Sequence, residues 1–123
     1  HASYRRQRQM CIRDSVIRSS LGTIFSQKII IHDYESTYNF LKKNNLNVYA
    51  TSLNGEKNID KINYNKSCAV VVGSENLGIS KFWDTKSDEL IKIPMLGSID
   101  SLNVSVSAAI VLYEINRQND FNR

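Results

Sequence analysis

One proline, two cysteines and two histidines in 123 residues exclude several classes of protein at the outset. Cys11 and Cys68 are too few for a disulfide framework, and with only His1 and His32 beside them no spacing suits a zinc site. Glycine is sparse as well: five residues, with no Gly-x-Gly-x-x-Gly fingerprint and no Gly-Lys-Ser/Thr phosphate loop. The longest uncharged stretch, residues 101–113, is 13 residues long, short of the 18 or more that mark a membrane-spanning helix. With no apolar core of a signal peptide and nothing that requires an oxidising compartment, the expectation is a soluble cytoplasmic protein that binds no metal.

What is present is ordinary globular chemistry. Hydrophobic residues at 41% and charged residues at 23% suit a single domain with one core. The net charge of +4 hints at a polyanionic partner such as nucleic acid, but its distribution weakens the hint. Residues 1–15 hold Arg5, Arg6, Arg8 and Arg13 against Asp14, so the other 108 residues carry only +1. That segment has no initiator Met and no periodic apolar face, and it resembles translated sequencing-adapter sequence. Residues 1–15 therefore read as a non-native or disordered segment, and residues 16–123 as the domain.

Along the domain, β-type runs at 28–31 and 46–50 bracket a segment, 35–45, in which Tyr38, Leu41 and Lys42 fall at helical spacing. Residues 51–66 are polar and Asn-rich, with Gly55 as a turn signal. The continuous apolar run 68–72 suits a strand buried on both faces of a parallel sheet. A short helix at 80–87, a strand at 89–93 closed by Pro94, and a long apolar helix at 104–117 complete the chain. A helix with so little polar face before Glu114 must be covered on more than one side. The alternation predicts an α/β fold, a mostly parallel sheet with helices on both faces and ligand loops at the strand C-termini.

Two of those loops stand out. Gly73-Ser74-Glu75-Asn76-Leu77-Gly78 follows the apolar strand, and a glycine there lets the backbone approach a ligand closely. Ile93-Pro94-Met95-Leu96-Gly97-Ser98-Ile99-Asp100-Ser101-Leu102-Asn103 leads into the last helix. Ser101 or Asn103 can cap that helix, while Ile93, Met95 and Leu102 offer apolar surface to the face of a base. Taken singly, each loop also reads as an ordinary turn.

Taken together, G-S-E-N-L-G-I-S and I-P-M-L-G-S-I-D-S-L-N-V-S-V-S-A-A-I-V-L-Y-E closely resemble the second and third motifs of the SpoU (TrmH-type) RNA ribose 2′-O-methyltransferases, in the same order and spacing. Residues 16–25, V-I-R-S-S-L-G-T-I-F, resemble the family's Arg-Ala/Ser-Ser-x-Gly-x-x-Phe segment. The resemblance runs from Val16 to Gln118. It implies a deep C-terminal trefoil knot, S-adenosyl-L-methionine as cofactor, RNA (tRNA or rRNA) as partner, and a homodimer formed through the C-terminal helix. Small residues at Ser105, Ser107, Ala108 and Ala109 are compatible with a closely packed helix.

Carried onto matching positions, the resemblance assigns cofactor binding to Gly73, Ile93, Met95, Leu102 and Thr51, and catalytic roles at the reacting centre to Glu75, Ser101 and Asn103. It also implies that the family's first motif, with its Asn and catalytic Arg, belongs upstream of Val16, where residues 1–15 stand instead. Arg18 lies in the later segment and does not replace that arginine. The expected activity is methyl transfer to a ribose 2′-hydroxyl. The alternative is a non-catalytic RNA-binding or dimerisation module of the same fold, and a nucleotide-binding domain of flavodoxin-like type is the third reading.

Overall fold

The computed structural model describes residues 26–64, 67–74, 76–98 and 102–122. The chain divides into two units, residues 1–32 and 33–123. Of the first, residues 26–32 are described, and they form a turn followed by exposed chain without regular structure. The strand expected at 28–31 is therefore absent. Ile29, Ile30 and Ile31 are 61–73% exposed, and β-branched residues stabilise a strand only when a neighbouring strand and a packed face receive them. Val16 and the segment 1–15 lie outside the described residues.

The second unit opens with helix α1 (Tyr34–Lys43), capped where the Asp33 carboxylate accepts from the Ser36 amide at 2.8 Å. Lys42 and Lys43 in its last turn suit the negative end of the helix dipole. Strand β1 (Asn47–Thr51) follows, then the short strand β2 (Lys57–Asn58) and a 3-10 turn (Ile59–Lys61). Strand β3 (Cys68–Val71), helix α2 (Lys81–Lys86), strand β4 (Glu89–Lys92) and helix α3 (Val104–Gln118) complete the unit.

All strand pairs are parallel, and the sheet order is β2-β4-β1-β3. In the centre, β1 pairs Tyr49 with Val70 on one side and Thr51 with Ile91 on the other. Its residues Val48, Tyr49 and Ala50 are all buried, so both faces of the sheet are covered there. The Tyr49 face packs against Ile91, Ile59, Ile62 and Tyr64, and against Val111 and Ile115 of α3. On the other face lie Val48 and Ala50, with α1 against β1 and the Tyr34, Tyr38, Phe82 and Trp83 rings joining α1 to α2.

Two expectations need correction. The strand at 68–71 is half-buried rather than buried on both faces, because it ends the described sheet while β1 takes the centre. The stretch 51–66 is more than a polar loop: its Asn and Lys residues alternate with Ile59, Ile62 and Tyr64, which sink into the core. The Tyr49 and Tyr64 rings meet edge to face at 4.9 Å. Burial, with the Glu114 charge adding to it, pushes the Tyr64 phenol well above its ordinary range.

Two polar clusters fix the element ends. Asp88, just before β4, accepts from Lys42 of α1 and from the Val48 amide at 2.7 Å, which locks the start of β4 to the start of β1. Burial resists ionisation of this carboxyl, but the bonds from Lys42 and Val48 outweigh it and hold the group below its usual range. In α3, Glu114 accepts from Arg117 at 2.7 and 2.8 Å and from Gln118 at 2.9 Å, and Gln118 in turn accepts from the Tyr64 amide at 3.2 Å. The Arg117 and Gln118 bonds bring the Glu114 carboxyl down to about 2 from an ordinary 4.5.

Both carboxyls are depressed in the folded chain, so their stabilisation is complete above the ordinary carboxylate range and is lost as pH falls. The urea midpoint should hold down to about pH 5 and fall between about 4.5 and 2, and Glu114→Gln should flatten that decline. Ile91 is fully buried, and Ile91→Ala should lower unfolding free energy by about 2–5 kcal/mol in the same titration.

Candidate functional site

Because β1, β3 and β4 run parallel, their C-termini share one edge, and the loops leaving them enclose a cleft of about 510 Å³. The inner wall is apolar, formed by Ile91, Ile93, Met95, Leu102 and Val104. Around the mouth stand Ser52 and Asn54, residues 72–74 and 76–79, and the charged residues Lys81, Asp84 and Lys92. Among the described residues no cluster of His, Cys, Asp and Glu can hold a metal ion.

The loop after β3 folds back on itself. Ser74 and Gly78 exchange backbone hydrogen bonds at 3.1 and 2.9 Å, and the Ser74 hydroxyl accepts from the Leu77 amide at 3.2 Å. Gly78 takes φ +67°, a conformation glycine adopts without steric cost. Gly73 is required for a different reason. A Cβ there would lie 2.0 Å from the Gly78 carbonyl carbon and 2.2 Å from the Ile79 nitrogen. The close approach expected at Gly73 is thus made, in the first place, by the chain's own backbone.

The first loop is built around Gly55, whose added Cβ would meet the Ile91 carbonyl carbon at 2.7 Å. Ser52 donates its amide to the Ile91 carbonyl at 2.9 Å, so this loop is stitched to the end of β4. Thr51 donates its hydroxyl to the Val71 carbonyl at 3.3 Å and closes the bottom of the cleft between β1 and β3.

All five positions expected to hold a cofactor, Thr51, Gly73, Ile93, Met95 and Leu102, line this one cleft. Of the three expected catalytic residues, Glu75 and Ser101 lie outside the described residues. Asn103 is exposed and caps α3, accepting from the Ser105 amide at 2.9 Å and from the Ser105 hydroxyl; it does not line the cleft. Sequence reasoning missed Lys81, Lys92, Ser52 and Asn54 in the lining, since an isolated polar residue at a strand or helix end carries no periodic signal.

A parallel α/β sheet with a ligand-sized cleft across its C-terminal edge defines a class of domain that binds nucleotides and related cofactors at strand ends. The sequence pattern narrows that class to one family. Residues 3–113 match the SpoU rRNA Methylase family, and the chain belongs to it. The match takes in most of the segment 1–15 that its composition sets apart.

Among curated proteins, the tRNA (guanosine(18)-2′-O)-methyltransferase of Thermus thermophilus is 42% identical over 87 residues, 70% of this chain and 45% of that protein. An uncharacterized tRNA/rRNA methyltransferase of Borreliella burgdorferi is 40% identical over 106 residues, 85% of this chain and 46% of that protein. Among solved structures, an RNA 2′-O ribose methyltransferase superposes with a TM-score of 0.79 at 38% identity, covering 85% of this chain and 40% of its own. The SpoU methyltransferase AviRb from Streptomyces viridochromogenes, in complex with the cofactor AdoMet, gives 0.78 at 26% identity, covering 87% and 43%. The chain spans less than half the length of these curated relatives.

The glycines of the folded-back loop yield a graded test. Gly78→Ala has open space and should cost about 1–2 kcal/mol through its positive φ alone. Gly73→Ala must displace backbone and should cost more, with both read from urea denaturation midpoints.

Proposed function

We propose that this chain is the cofactor-binding part of an S-adenosyl-L-methionine-dependent methyltransferase acting on a ribose 2′-hydroxyl of tRNA or rRNA. The observation that supports this reading most directly is the convergence of Thr51, Gly73, Ile93, Met95 and Leu102, from three separate loops, on one cleft. The cleft also fits the cofactor chemically. Ile93, Met95 and Leu102 supply an apolar wall for adenine, and the loop backbones supply donors and acceptors for its edge and for the ribose. The adenine-bearing AdoMet complex of AviRb supports the same assignment.

When bound, the cofactor supplies a methyl group already activated on a sulfonium. The protein's share is then to orient the attacking hydroxyl and take up its proton. We assign that orientation to Glu75, Ser101 and Asn103, which belong in sequence to the two loops bounding the cleft. Asn103 would act there while capping α3. The family's deep trefoil knot and a cytoplasmic location belong to the same proposal.

A homodimer through α3 completes it. Val111 and Ile115 face the sheet, leaving Val106 and Tyr113 exposed on the far side and Leu112 exposed on the flank, with Tyr113 extended by Phe121 at 5.5 Å. This exposed apolar strip gives a helix without a polar face its second covering.

Titration calorimetry with S-adenosylhomocysteine should show saturable binding, and Leu102→Asp should weaken it about tenfold or more by placing a charge in the apolar wall. No heat from a chain whose circular dichroism is intact overturns the cofactor assignment. For the dimer, Leu112→Glu should shift sedimentation velocity from dimer to monomer, and a wild-type monomer at all concentrations rejects it.

A further inference from the structure

We propose that Lys81 and Lys92 grip the phosphate backbone of the RNA strand that enters the cleft. The inference rests on the RNA reading above and deepens it by assigning substrate contacts to two residues. Both lysines line the cleft and are exposed, Lys81 at the start of α2 and Lys92 at the end of β4. Lys92 ends β4, on one side of the central strand β1, and Lys81 opens α2, into which the loop from β3 on the other side leads.

Of the five other described lysines of the second unit, three have acidic partners, and the remaining two, Lys43 and Lys86, lie outside the cleft lining. Lys42 binds Asp88, Lys57 binds Glu89 at 3.0 Å and Lys61 binds Asp60 at 3.1 Å. Among the described residues Lys81 and Lys92 form no ion pair, and Asp84, the acidic residue in the described lining, is bonded to neither. Two cations against one carboxylate leave the described mouth of the cleft net positive, which attracts an anion.

Charge arithmetic separates the possible anions. S-adenosylmethionine carries a sulfonium and an ammonium against one carboxylate, so its net charge is positive and two lysines do not favour it. RNA carries one negative charge per nucleotide. Leu53 and Leu77, exposed and also at the mouth, suit the faces of unpaired bases between those phosphates. The mouth therefore fits an unstacked strand, which is also the form in which a ribose hydroxyl can reach into a cleft.

The test is the salt dependence of RNA binding by the full 123-residue chain. Fluorescence anisotropy follows a labelled, unmodified transfer RNA transcript and a ribosomal RNA hairpin across about 0.05–0.2 M salt. Lys81→Gln and Lys92→Gln should each reduce the slope of log K against log salt by about 0.7–0.9, and weaken binding about five- to eightfold at about 0.1 M salt. S-adenosylhomocysteine affinity, measured by calorimetry, should stay unchanged in both variants. Lys43→Gln, in the last turn of α1 and outside the cleft lining, makes the same charge change and should leave the slope unaltered.

Unchanged slopes in both cleft variants, an equal loss in Lys43→Gln, or no RNA binding by the wild-type chain overturns the proposal. A loss of S-adenosylhomocysteine affinity without a slope change assigns the lysines to the cofactor carboxylate and overturns it too. Absence of S-adenosylhomocysteine binding by the wild-type chain counts against the cofactor assignment alone, because the RNA slopes are read without cofactor.

Discussion

The parallel pairing of β1 with β3 on one side and β4 on the other is the constraint from which the site follows. Parallel strands deliver their C-termini to one edge, so Thr51, Gly73 and Ile93, more than forty residues apart at the extremes, end beside one another. The register is held by burial on both faces of β1, where a slip of one residue would exchange Tyr49 for Val48 or Ala50 against α3. Asp88 adds a polar pin at the opposite edge through the Val48 amide and Lys42. The cleft is thus a by-product of sheet register, and changes to core residues such as Ile91 act on both.

Gly73 shows how a structural and a functional requirement can coincide at one residue. Its missing side chain admits the backbone of Gly78 and Ile79, which lets the loop close through the Ser74–Gly78 bridge. The closed loop then lines the cleft. A glycine expected to meet a ligand need not be there for the ligand alone. Here, steric exclusion by the chain itself already forbids any other residue.

Most of the regular structure of the second unit was legible in the sequence, because α1, β1, β3, α2, β4 and α3 each carry a local signature of spacing, capping or apolar run. What local pattern could not reveal was context. Residues 28–31 have the composition of a strand but no regular structure, and residues 68–71 have the composition of a central strand but lie at the edge of the described sheet. Ile59, Ile62 and Tyr64 were hidden by their polar neighbours, though they anchor the core under α3. The cleft was legible in a different way: single loops looked ordinary, and only two long motifs in fixed order pointed to Ile93, Met95 and Leu102 together. The lysines escaped notice because charge at a cleft mouth is a property of three-dimensional neighbours, and a sequence does not show which cations lack acidic partners.

Helix α3 ties these parts together mechanically. Its first turns contribute Val104 and Ser107 to the cleft, its middle buries Val111 and Ile115 against the sheet, and its last turn is anchored to Tyr64 through Glu114 and Gln118. A fifteen-residue helix is about 22 Å of rigid rod, and this one is capped at its start by Asn103 and tied at its end to Tyr64 through Gln118. Its outer strip of Val106, Leu112 and Tyr113 therefore sits on the same rod as the cleft wall. A load on that strip is transmitted to the cleft wall through α3 itself. The apolar strip and the cleft residues Val104 and Ser107 are therefore positioned by one and the same rod, so whatever moves one moves the other.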